Sequence, residues 1–452
     1  MRVVLVSTYD LGRQPFGLAS PAAWLRRAGF EVLLADTSRR PLPAAELDGA
    51  ALIGLFLPMH TATRLALRML PALRAAAPAA HICAYGLYAP LHRAHLEASG
   101  VATVLGGEFE AGLLSLAEAL RAGTPPPQAG AAALPRLALL PPDRAGLPPL
   151  DRYARLIMPD GGERLAGSTE TTRGCLHRCR HCPITPVYRG QMRVVPLDVV
   201  LADIRRQAGA GARHITFADP DFFNGPTHAM RVAEALHAEF PALSFDATIK
   251  VEHLLRYRRL LPRLRACGCL FVTTAAESFD DAVLARLAKG HTAADFELAL
   301  ALAAEASLAL SPTFLAFTPW TTPAGYAAML AHLRRLGLVE RVAPVQLGMR
   351  LLIPPGSPLL DLADAGDWLG EFVPSELGYR WRALDPAADA LAASAQALIA
   401  RASKAGRPRE HIFAELEALA AAAGAPGSGA YAAPPPAPSR ATIPYLNEPW
   451  FC

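Results

Sequence analysis

Apolar residues recur along the first 122 residues with two different spacings. Short, almost continuous apolar runs predict buried β-strands, and they are found at residues 3–7, 30–35, 51–57, 81–85 and 101–105. The segments between them carry apolar residues at every third or fourth position, as helices do, and Ser20 followed by Pro21 is typical of a helix start. Strands buried on both faces and joined by helices predict a parallel sheet, so an N-terminal α/β domain is expected over residues 1–122.

The same alternation returns in the middle of the chain. About six strand–helix units are predicted between residues 164 and 385, with strands at 164–171, 214–218, 243–249, 270–275, 308–317 and 345–352. A closed barrel of eight such units usually takes about 250 residues. We therefore expect a partial, open (β/α)6 barrel related to the TIM barrel.

The remaining segments lack this alternation. Residues 123–163 include an Ala- and Pro-rich stretch and are expected to form a linker. Residues 386–424 are Ala-rich and are expected to form a helical extension that is interrupted near Pro408. Residues 425–452, rich in Pro and Gly at their start, are expected to be a flexible linker followed by a tail that ends in Cys452.

The composition excludes several classes of protein. Although 52% of the residues are hydrophobic, no apolar run reaches the length of about 18 residues that a membrane span needs, so no membrane association is expected. The net charge of +4 is not gathered into a basic block, which argues against a nucleic-acid partner. The strand-like N-terminus is unlike a signal peptide, and we expect a cytoplasmic protein whose cysteines stay reduced.

Three of the seven cysteines lie close together, at Cys175, Cys179 and Cys182, with the spacing C-x3-C-x2-C. Clustered thiolates are soft ligands that select zinc, Cu(I) or iron–sulfur clusters. A structural zinc ion takes four ligands, and His177 or His181 would supply the fourth. A cluster of four irons held by only three thiolates would instead leave one iron open to an outside ligand.

Acidic, polar or small residues follow the ends of several predicted strands. Those that we expect to bind a cofactor are Asp219, Asp221, Glu277, Ser278, Gly106 and Gly107. Ligands bind at the carboxyl ends of the strands in both β/α barrels and open parallel sheets, and the cysteine loop follows the first barrel strand at this same edge. Glycine there permits close backbone approach to a ligand, but it also serves tight strand-to-helix turns.

A C-x3-C-x2-C loop after the first strand of a β/α barrel resembles the signature of the radical S-adenosylmethionine (radical SAM) superfamily. The resemblance implies that Cys175, Cys179 and Cys182 hold a 4Fe–4S cluster whose open iron binds the amino and carboxylate groups of S-adenosylmethionine. An electron from the cluster would cleave the sulfonium to methionine and a 5′-deoxyadenosyl radical. Asp219-Pro220-Asp221 stands where members often carry a Gly-Gly-Glu-type strand end that binds the amino group. Glu277-Ser278 resembles the element near the ribose and methionine of the cofactor.

The N-terminal domain, expected to have a flavodoxin-like (Rossmann-type) sheet, resembles the cobalamin-binding domain that precedes many such barrels. The turn Gly106-Gly107-Glu108 is similar to the last strand–helix turn of that domain. The Asp-x-His-x-x-Gly element that supplies a lower axial histidine is absent, as it is in many radical enzymes of this kind. The resemblance implies cobalamin as a second cofactor, and methyl transfer to an unactivated carbon as one outcome.

The sequence therefore leaves three hypotheses for the function of this protein. The first is a radical SAM enzyme, a methyltransferase or an oxidoreductase, acting on an unknown small molecule or peptide with an electron donor such as flavodoxin or ferredoxin. The second is an iron–sulfur electron-transfer or sensor protein without radical chemistry, and the third is a ligand carrier. Formation of 5′-deoxyadenosine would separate the first from the second.

The end of the sequence carries a further resemblance. Together with Pro354-Pro355-Gly356-Ser357, the tail Glu448-Pro449-Trp450-Phe451-Cys452 resembles the group called CUAEP/CCAEP-tail radical SAM proteins, whose chains continue after this cysteine with cysteine or selenocysteine and Ala-Glu-Pro. This predicts an in-frame selenocysteine codon after Cys452. On a flexible spacer, the Cys452 thiol is expected to reach the barrel mouth and to take part in turnover.

Overall fold

The computed structural model describes residues 1–126, 134–424 and 443–448. The predicted flexible segment at 425–440 and the thiol of Cys452 lie outside these residues. Within them, no helix has both the length and the apolar composition that crossing a membrane would require.

The N-terminal domain is one parallel sheet covered by helices on both faces. Its strands are β1 (Arg2–Ser7), β2 (Glu31–Asp36), β3 (Ala50–Phe56), β4 (His81–Tyr85) and β5 (Thr103–Leu105). Its helices are α1 (Phe16–Arg27), α2 (His60–Ala76), α3 (Arg93–Ala98) and α4 (Glu110–Ala122). The strand order β2-β1-β3-β4-β5 confirms the flavodoxin-like sheet, and the direction of winding reverses between β1 and β3. Helices α1 and α4 pack against one face and α2 and α3 against the other.

Helix α1 begins at Phe16, five residues before the predicted first position at Pro21. Pro21 lies inside the helix rather than in its first turn, and it lacks the N–H that would bond the carbonyl of Gly17. That carbonyl accepts a hydrogen bond from the Tyr85 hydroxyl instead, at 2.9 Å. Ser20, predicted to cap the helix, donates its hydroxyl to Glu110 on α4 at 2.5 Å. The Ser20 hydroxyl and the Gly17 carbonyl therefore find hydrogen-bond partners elsewhere in the domain, so Ser20 and Pro21 do not mark the start of the helix.

The second domain is an open barrel. Its strands are β6 (Arg155–Ile157), β7 (Glu163–Thr169), β8 (Thr172–Gly174), β9 (Met192–Val194), β10 (His214–Phe217), β11 (Ser244–Thr248), β12 (Cys269–Glu277) and β13 (Ala309–Phe314). Its helices are α5 (Ile184–Tyr188), α6 (Leu197–Gly209), α7 (Pro226–Glu239), α8 (Val251–Arg256), α9 (Leu261–Ala266), α10 (Asp281–Arg286), α11 (Ala293–Glu305) and α12 (Pro323–Arg335). Strands β7, β10, β11, β12 and β13 pair in parallel in that order. The predicted α/β fold class with a partial barrel is confirmed.

The sixth predicted strand, at 345–352, is not a full strand. Residues Pro344–Gly348 form a 3₁₀ turn, and only an isolated parallel bridge pairs Phe317 with Arg350. Proline begins the turn and supplies no N–H to a sheet ladder, which explains why the apolar run does not extend. The barrel therefore stays open after β13.

The C-terminal part returns to the first edge of the barrel sheet. It contains α13 (Ala365–Trp368), β14 (Leu369–Val373), β15 (Gly378–Trp381), α14 (Pro386–Lys404), α15 (Arg409–Ala422) and β16 (Tyr445–Leu446). The predicted helical extension is present as α14 and α15, with Pro408 between them. Strand β16 pairs antiparallel with β6, which pairs antiparallel with β7, and sequence patterns did not predict this edge.

Part of the linker is pinned to the barrel by an ion pair. Arg144 contacts the carboxylate of Asp203 on α6 at 2.8 Å and donates to the carbonyl oxygen of Ser168. Its side chain is 9% exposed, and that of Asp203 is fully buried. The linker therefore fixes the approach of the chain to β7.

We predict that Arg144→Met lowers the free energy of unfolding by about 3 kcal/mol, because it leaves the buried carboxylate of Asp203 without its cation. Urea unfolding followed by circular dichroism measures this loss. The control is Arg205→Met on the same helix, which breaks an exposed ion pair with Glu239 and should change little. Equal losses in both variants would contradict a specific role for the buried pair.

Candidate functional site

The three clustered cysteines lie on the loop between β8 and α5, at the carboxyl end of the barrel sheet. Cys175 and Cys179 are buried at 9% and 7% exposure, and Cys182 is half-buried. Within the loop, the Cys182 N–H donates to the carbonyl of Cys179 at 3.2 Å, and the Thr185 hydroxyl donates to the same carbonyl at 2.8 Å. The loop is therefore a defined structure that presents three thiols together.

Two lysines face these thiols. The Nζ atom of Lys250 lies 3.8 Å from the Sγ atom of Cys179. Burial raises the pKa of Cys182 to about 12, although Lys289 favours its thiolate form. Positive charge beside buried sulfur stabilises the anionic form that metal binding requires. Sequence reasoning gave neither lysine this role, since Lys250 follows a different strand and Lys289 a different helix.

The donor set fits a cluster with one open position. The other cysteines that the structure describes lie in hydrophobic cores: Cys83 in β4, Cys267 before β12 and Cys269 at its amino end. They are placed away from the carboxyl edge, so the described residues bring only three thiols to this loop. Three sulfur ligands without a fourth match the 3+1 arrangement rather than a closed zinc site.

The two histidines considered as a fourth zinc ligand are engaged elsewhere. His177 lies 3.5 Å from the carboxylate of Asp221 and 3.3 Å from the ring of His253. His181 contacts Glu277 at 3.1 Å. Their partners argue against the zinc alternative.

Asp219 holds the start of the cysteine loop. Its carboxylate accepts hydrogen bonds from the Thr171 N–H at 2.8 Å, from the Thr171 hydroxyl at 2.5 Å and from the Thr172 hydroxyl at 2.6 Å. Asp219 is 2% exposed. Its pKa is raised to about 6, because burial outweighs these hydrogen bonds. In this structure its carboxylate is used to position the loop.

Asp221 is the centre of a second buried cluster that sequence reasoning missed. His253 Nδ1 lies 2.7 Å from its carboxylate, and the Lys250 N–H donates to it at 3.4 Å. Burial opposes ionisation, but His177 and His253 outweigh it and hold the pKa of Asp221 below its usual range. Ligand atoms of Asp221, His177 and His253 lie within 4.8 Å of one another. The three side chains come from the cysteine loop, the segment after β10 and helix α8, so no local spacing marks them.

Glu277 ends β12 in an unusual backbone conformation, with φ of +65°. Its carboxylate contacts Lys289 and His181, each at 3.1 Å. Burial opposes its ionisation, but Lys289 and His181 outweigh burial and hold the pKa of Glu277 well below its usual range. Strained residues of this kind concentrate at functional sites. The neighbouring Ser278 hydroxyl accepts a hydrogen bond from the Asp280 N–H at 3.0 Å and serves the turn before α10.

Arg173 connects the cysteine loop to the N-terminal domain. Its guanidinium contacts Glu108 at 3.0 Å, Glu110 at 2.7 Å and Glu170 at 2.9 Å. The Tyr188 hydroxyl completes the network by donating to Glu108. Burial raises the pKa of Glu108, whereas Arg173 offsets burial at Glu110 and lowers its pKa. The cation is 6% exposed and stands two residues before Cys175.

We call the space between α1 and α4 at the carboxyl edge of the N-terminal sheet the crevice. Side chains from β3, β4 and the start of α4 fill it. The rings of Phe56, Tyr85 and Phe109 pack with centroids 5.0–6.1 Å apart. The guanidinium of Arg173 lies 5.7 Å from the ring of Phe109. This is the place beside the winding reversal where open parallel sheets bind ligands.

Gly106 and Gly107 form the turn between β5 and α4, as predicted. A Cβ atom on Gly106 would come within 2.5 Å of the Pro90 ring. Gly107 has φ of +67°, a conformation that favours glycine. Both therefore have a structural reason to be glycine, and their role in cofactor binding stays a prediction.

Comparison with known proteins identifies the class that this fold and loop define. Residues 169–316 match the family model described as the Radical SAM superfamily. A tRNA-2-methylthio-N(6)-dimethylallyladenosine synthase of Sorangium cellulosum (strain So ce56) is 28% identical over 215 residues, 42% of this chain and 42% of that protein. The corresponding synthase of Hahella chejuensis (strain KCTC 2396) is 23% identical over 228 residues and covers 48% of this chain and 50% of that protein. The chain thus matches half or less of these curated relatives.

Solved structures share the fold over most of the chain. The cobalamin-dependent S-adenosylmethionine radical enzyme OxsB, with aqua-cobalamin bound, superposes with a TM-score of 0.72 at 16% identity, covering 93% of this chain and 71% of that one. The radical S-adenosylmethionine methyltransferase TsrM from Kitasatospora setae, with cobalamin and a [4Fe-4S] cluster bound, gives 0.64 at 18% identity, covering 88% of each. The chain thus contains a region that matches the Radical SAM model, and its overall fold is shared with these two structures.

The fold of this chain is compatible with a bound cobalamin, whereas the filled crevice leaves no space for one. The fold is that of the two cobalamin-bound neighbours, but Arg173 and the three aromatic rings occupy the crevice of the N-terminal domain. A cobalamin on this domain must therefore displace these side chains or lie wholly outside the crevice.

We predict that Arg173→Met lowers the free energy of unfolding by about 3–5 kcal/mol, because it strands the buried carboxylates of Glu108 and Glu110. Since Arg173 precedes Cys175, the variant should also retain less iron after anaerobic reconstitution. Urea unfolding and iron analysis measure the two effects. Arg178→Met is the control, because Arg178 lies exposed in the same loop and donates only to a backbone carbonyl. Wild-type iron content in Arg173→Met would contradict the positioning role.

We also predict a pH-dependent contribution from Asp219. A carboxyl group whose pKa is higher in the folded than in the unfolded chain contributes most stability below the unfolded pKa, and this contribution is lost as the pH rises through the folded value. Relative to Asp219→Asn, the wild-type chain should therefore lose on the order of 1–3 kcal/mol between about pH 4 and about pH 7. Urea unfolding of both proteins across this range checks the slope. A difference independent of pH would show that the pKa of Asp219 is not raised.

Proposed function

We propose that this protein is a radical SAM enzyme that cleaves S-adenosylmethionine reductively and uses the resulting radical on a substrate bound at the barrel mouth. The observation that carries the proposal is the buried loop with three thiols and no fourth among the described residues, within a matched radical SAM domain. A 4Fe–4S cluster on such a loop supplies an electron and one open iron for the amino acid moiety of S-adenosylmethionine.

The residues of the chain have separable tasks in this proposal. Cys175, Cys179 and Cys182 hold the cluster as thiolates, and Lys250 and Lys289 offset their negative charge from positions near the sulfur atoms. Opposite charges near a buried thiolate make its formation less costly.

The acidic residues hold this frame in place. Asp219 fixes the two threonines that begin the loop. Glu277 is kept anionic by Lys289 and His181 at the adjoining strand end, where it would orient a cationic amino group or a ribose hydroxyl. Preorganised charges of this kind need little rearrangement when a cofactor binds.

A finer proposal is that the reaction is methyl transfer or another modification assisted by cobalamin. It is supported by the names of the structural neighbours, of which TsrM is a methyltransferase and OxsB is cobalamin-dependent. A flavodoxin- or ferredoxin-type protein would supply the electron. The alternative, an iron–sulfur electron-transfer or sensor protein, differs in forming no 5′-deoxyadenosine.

We predict that the anaerobically reconstituted chain forms 5′-deoxyadenosine and methionine from S-adenosylmethionine when a strong reductant is added. Cys175→Ala, Cys179→Ala and Cys182→Ala should each lose this activity together with most of the bound iron, because a cluster needs all three thiolates. Liquid chromatography of the products and iron analysis provide the two measurements.

The matched control is Cys267→Ala, which removes a thiol buried outside the loop and should preserve both iron and product formation. A stable cluster in the wild-type chain without any 5′-deoxyadenosine would favour the electron-transfer alternative. Cobalamin retained after addition of hydroxocobalamin and gel filtration, detected by its visible absorbance, tests the finer proposal separately.

A further inference from the structure

A cavity of about 610 Å³ lies beside the carboxyl ends of β1 and β2 in the N-terminal domain, and no residue of the cysteine loop lines it. Helix α2 contributes Leu65, Met69 and Leu73 to its wall, and the segment after β2 contributes Leu42 and Leu47. Leu65 is 36% exposed. An apolar cavity of this size, open to solvent, is typical of a site that another group covers.

The C-terminal segment of the chain leads to the mouth of this cavity. Strand β16 pairs with β6, and Asn447 then forms two hydrogen bonds with the backbone of Arg155, at 2.8 and 3.0 Å. The next residue, Glu448, contacts Arg39 at 3.1 Å, and both side chains line the cavity. The chain is thus anchored as far as residue 448, where it stands at the cavity wall.

Gly12 shows how closely this segment approaches the N-terminal domain. It has φ of +70°, and a Cβ atom there would lie 2.5 Å from the Oε2 atom of Glu448. Any larger residue would therefore have to displace Glu448. Glu448 is therefore held in two ways: it packs closely against the turn after β1, and it forms the ion pair with Arg39.

We propose that this cavity is the docking site of the chain's own residues 449–452, with the rings of Trp450 and Phe451 covering its apolar wall. Two or three extended residues span about 7–11 Å from Glu448, enough to enter a cavity that Glu448 itself lines. Because the segment is tethered at the cavity mouth, its effective concentration there is high, on the order of millimolar. Trp450 and Phe451 would add aromatic surface to a wall that is otherwise mostly aliphatic and already includes Tyr9.

The proposal changes the expected position of Cys452. The sequence suggested that a flexible spacer carries this thiol to the barrel mouth, whereas docking of residues 449–452 would hold it against the N-terminal domain. This inference does not depend on radical chemistry, since it concerns only how the segment and the cavity fit each other.

Cross-linking of thiols tests the docking directly in the full-length, cluster-loaded chain. Leu65→Cys places a thiol on the cavity wall, and Arg68→Cys places one on the same helix at an exposed position outside the cavity. A short bismaleimide, used anaerobically, should link Cys452 to position 65 several-fold more than to position 68. Peptide mass spectrometry identifies the linked residues.

The aromatic anchors and the close approach at Gly12 are tested in the Leu65→Cys background. Replacing both Trp450→Ala and Phe451→Ala should lower the cross-link several-fold, and Gly12→Ala should do the same by displacing Glu448. Equal linkage at positions 65 and 68, no linkage at position 65, or linkage unchanged by loss of both aromatic rings would overturn the proposal. Leu65 is exposed on α2, and circular dichroism is expected to confirm an intact fold in these variants.

Discussion

The buried guanidinium of Arg173 is the contact on which the arrangement of the two domains depends. One cation from the barrel reaches three carboxylates, two of which belong to the N-terminal domain: Glu110 begins helix α4, and Glu108 lies two residues before it. A buried charge without partners is very costly, so this network permits one relative placement of the domains and disfavours others. Because Arg173 immediately precedes the cysteine loop, the same contact also sets where the thiols stand.

Around the thiols, the site is built from carboxylates that contact lysine and histidine side chains, and each partner limits the freedom of the other. Glu277 is held by Lys289 and His181, and Asp221 by two histidines. The lysines face sulfur on one side and carboxylate on the other. A ring of this kind keeps its shape before any cofactor arrives, which is what electrostatic preorganisation requires.

Sequence patterns predicted the parts of this molecule whose cause is local. Buried strands, amphipathic helices and the C-x3-C-x2-C spacing all lie within a few residues of one another. The missing sixth strand shows the limit: residues 345–352 are apolar enough, but Pro344 and the turn that it begins leave only the bridge at Arg350. Likewise, Asp221 and His253 become a cluster only through the barrel fold, and Arg173 meets Glu108 across 65 residues of chain.

The contact between Arg39 and Glu448 joins residues separated by 409 positions. Contacts between residues so far apart in the sequence close very large loops. They form late in folding, because local structure must be in place first. On the ribosome, the N-terminal domain would be complete long before its partner segment is synthesised. Until then, the cavity that Arg39 lines is without Glu448. Formation of this contact therefore indicates that translation has passed residue 448.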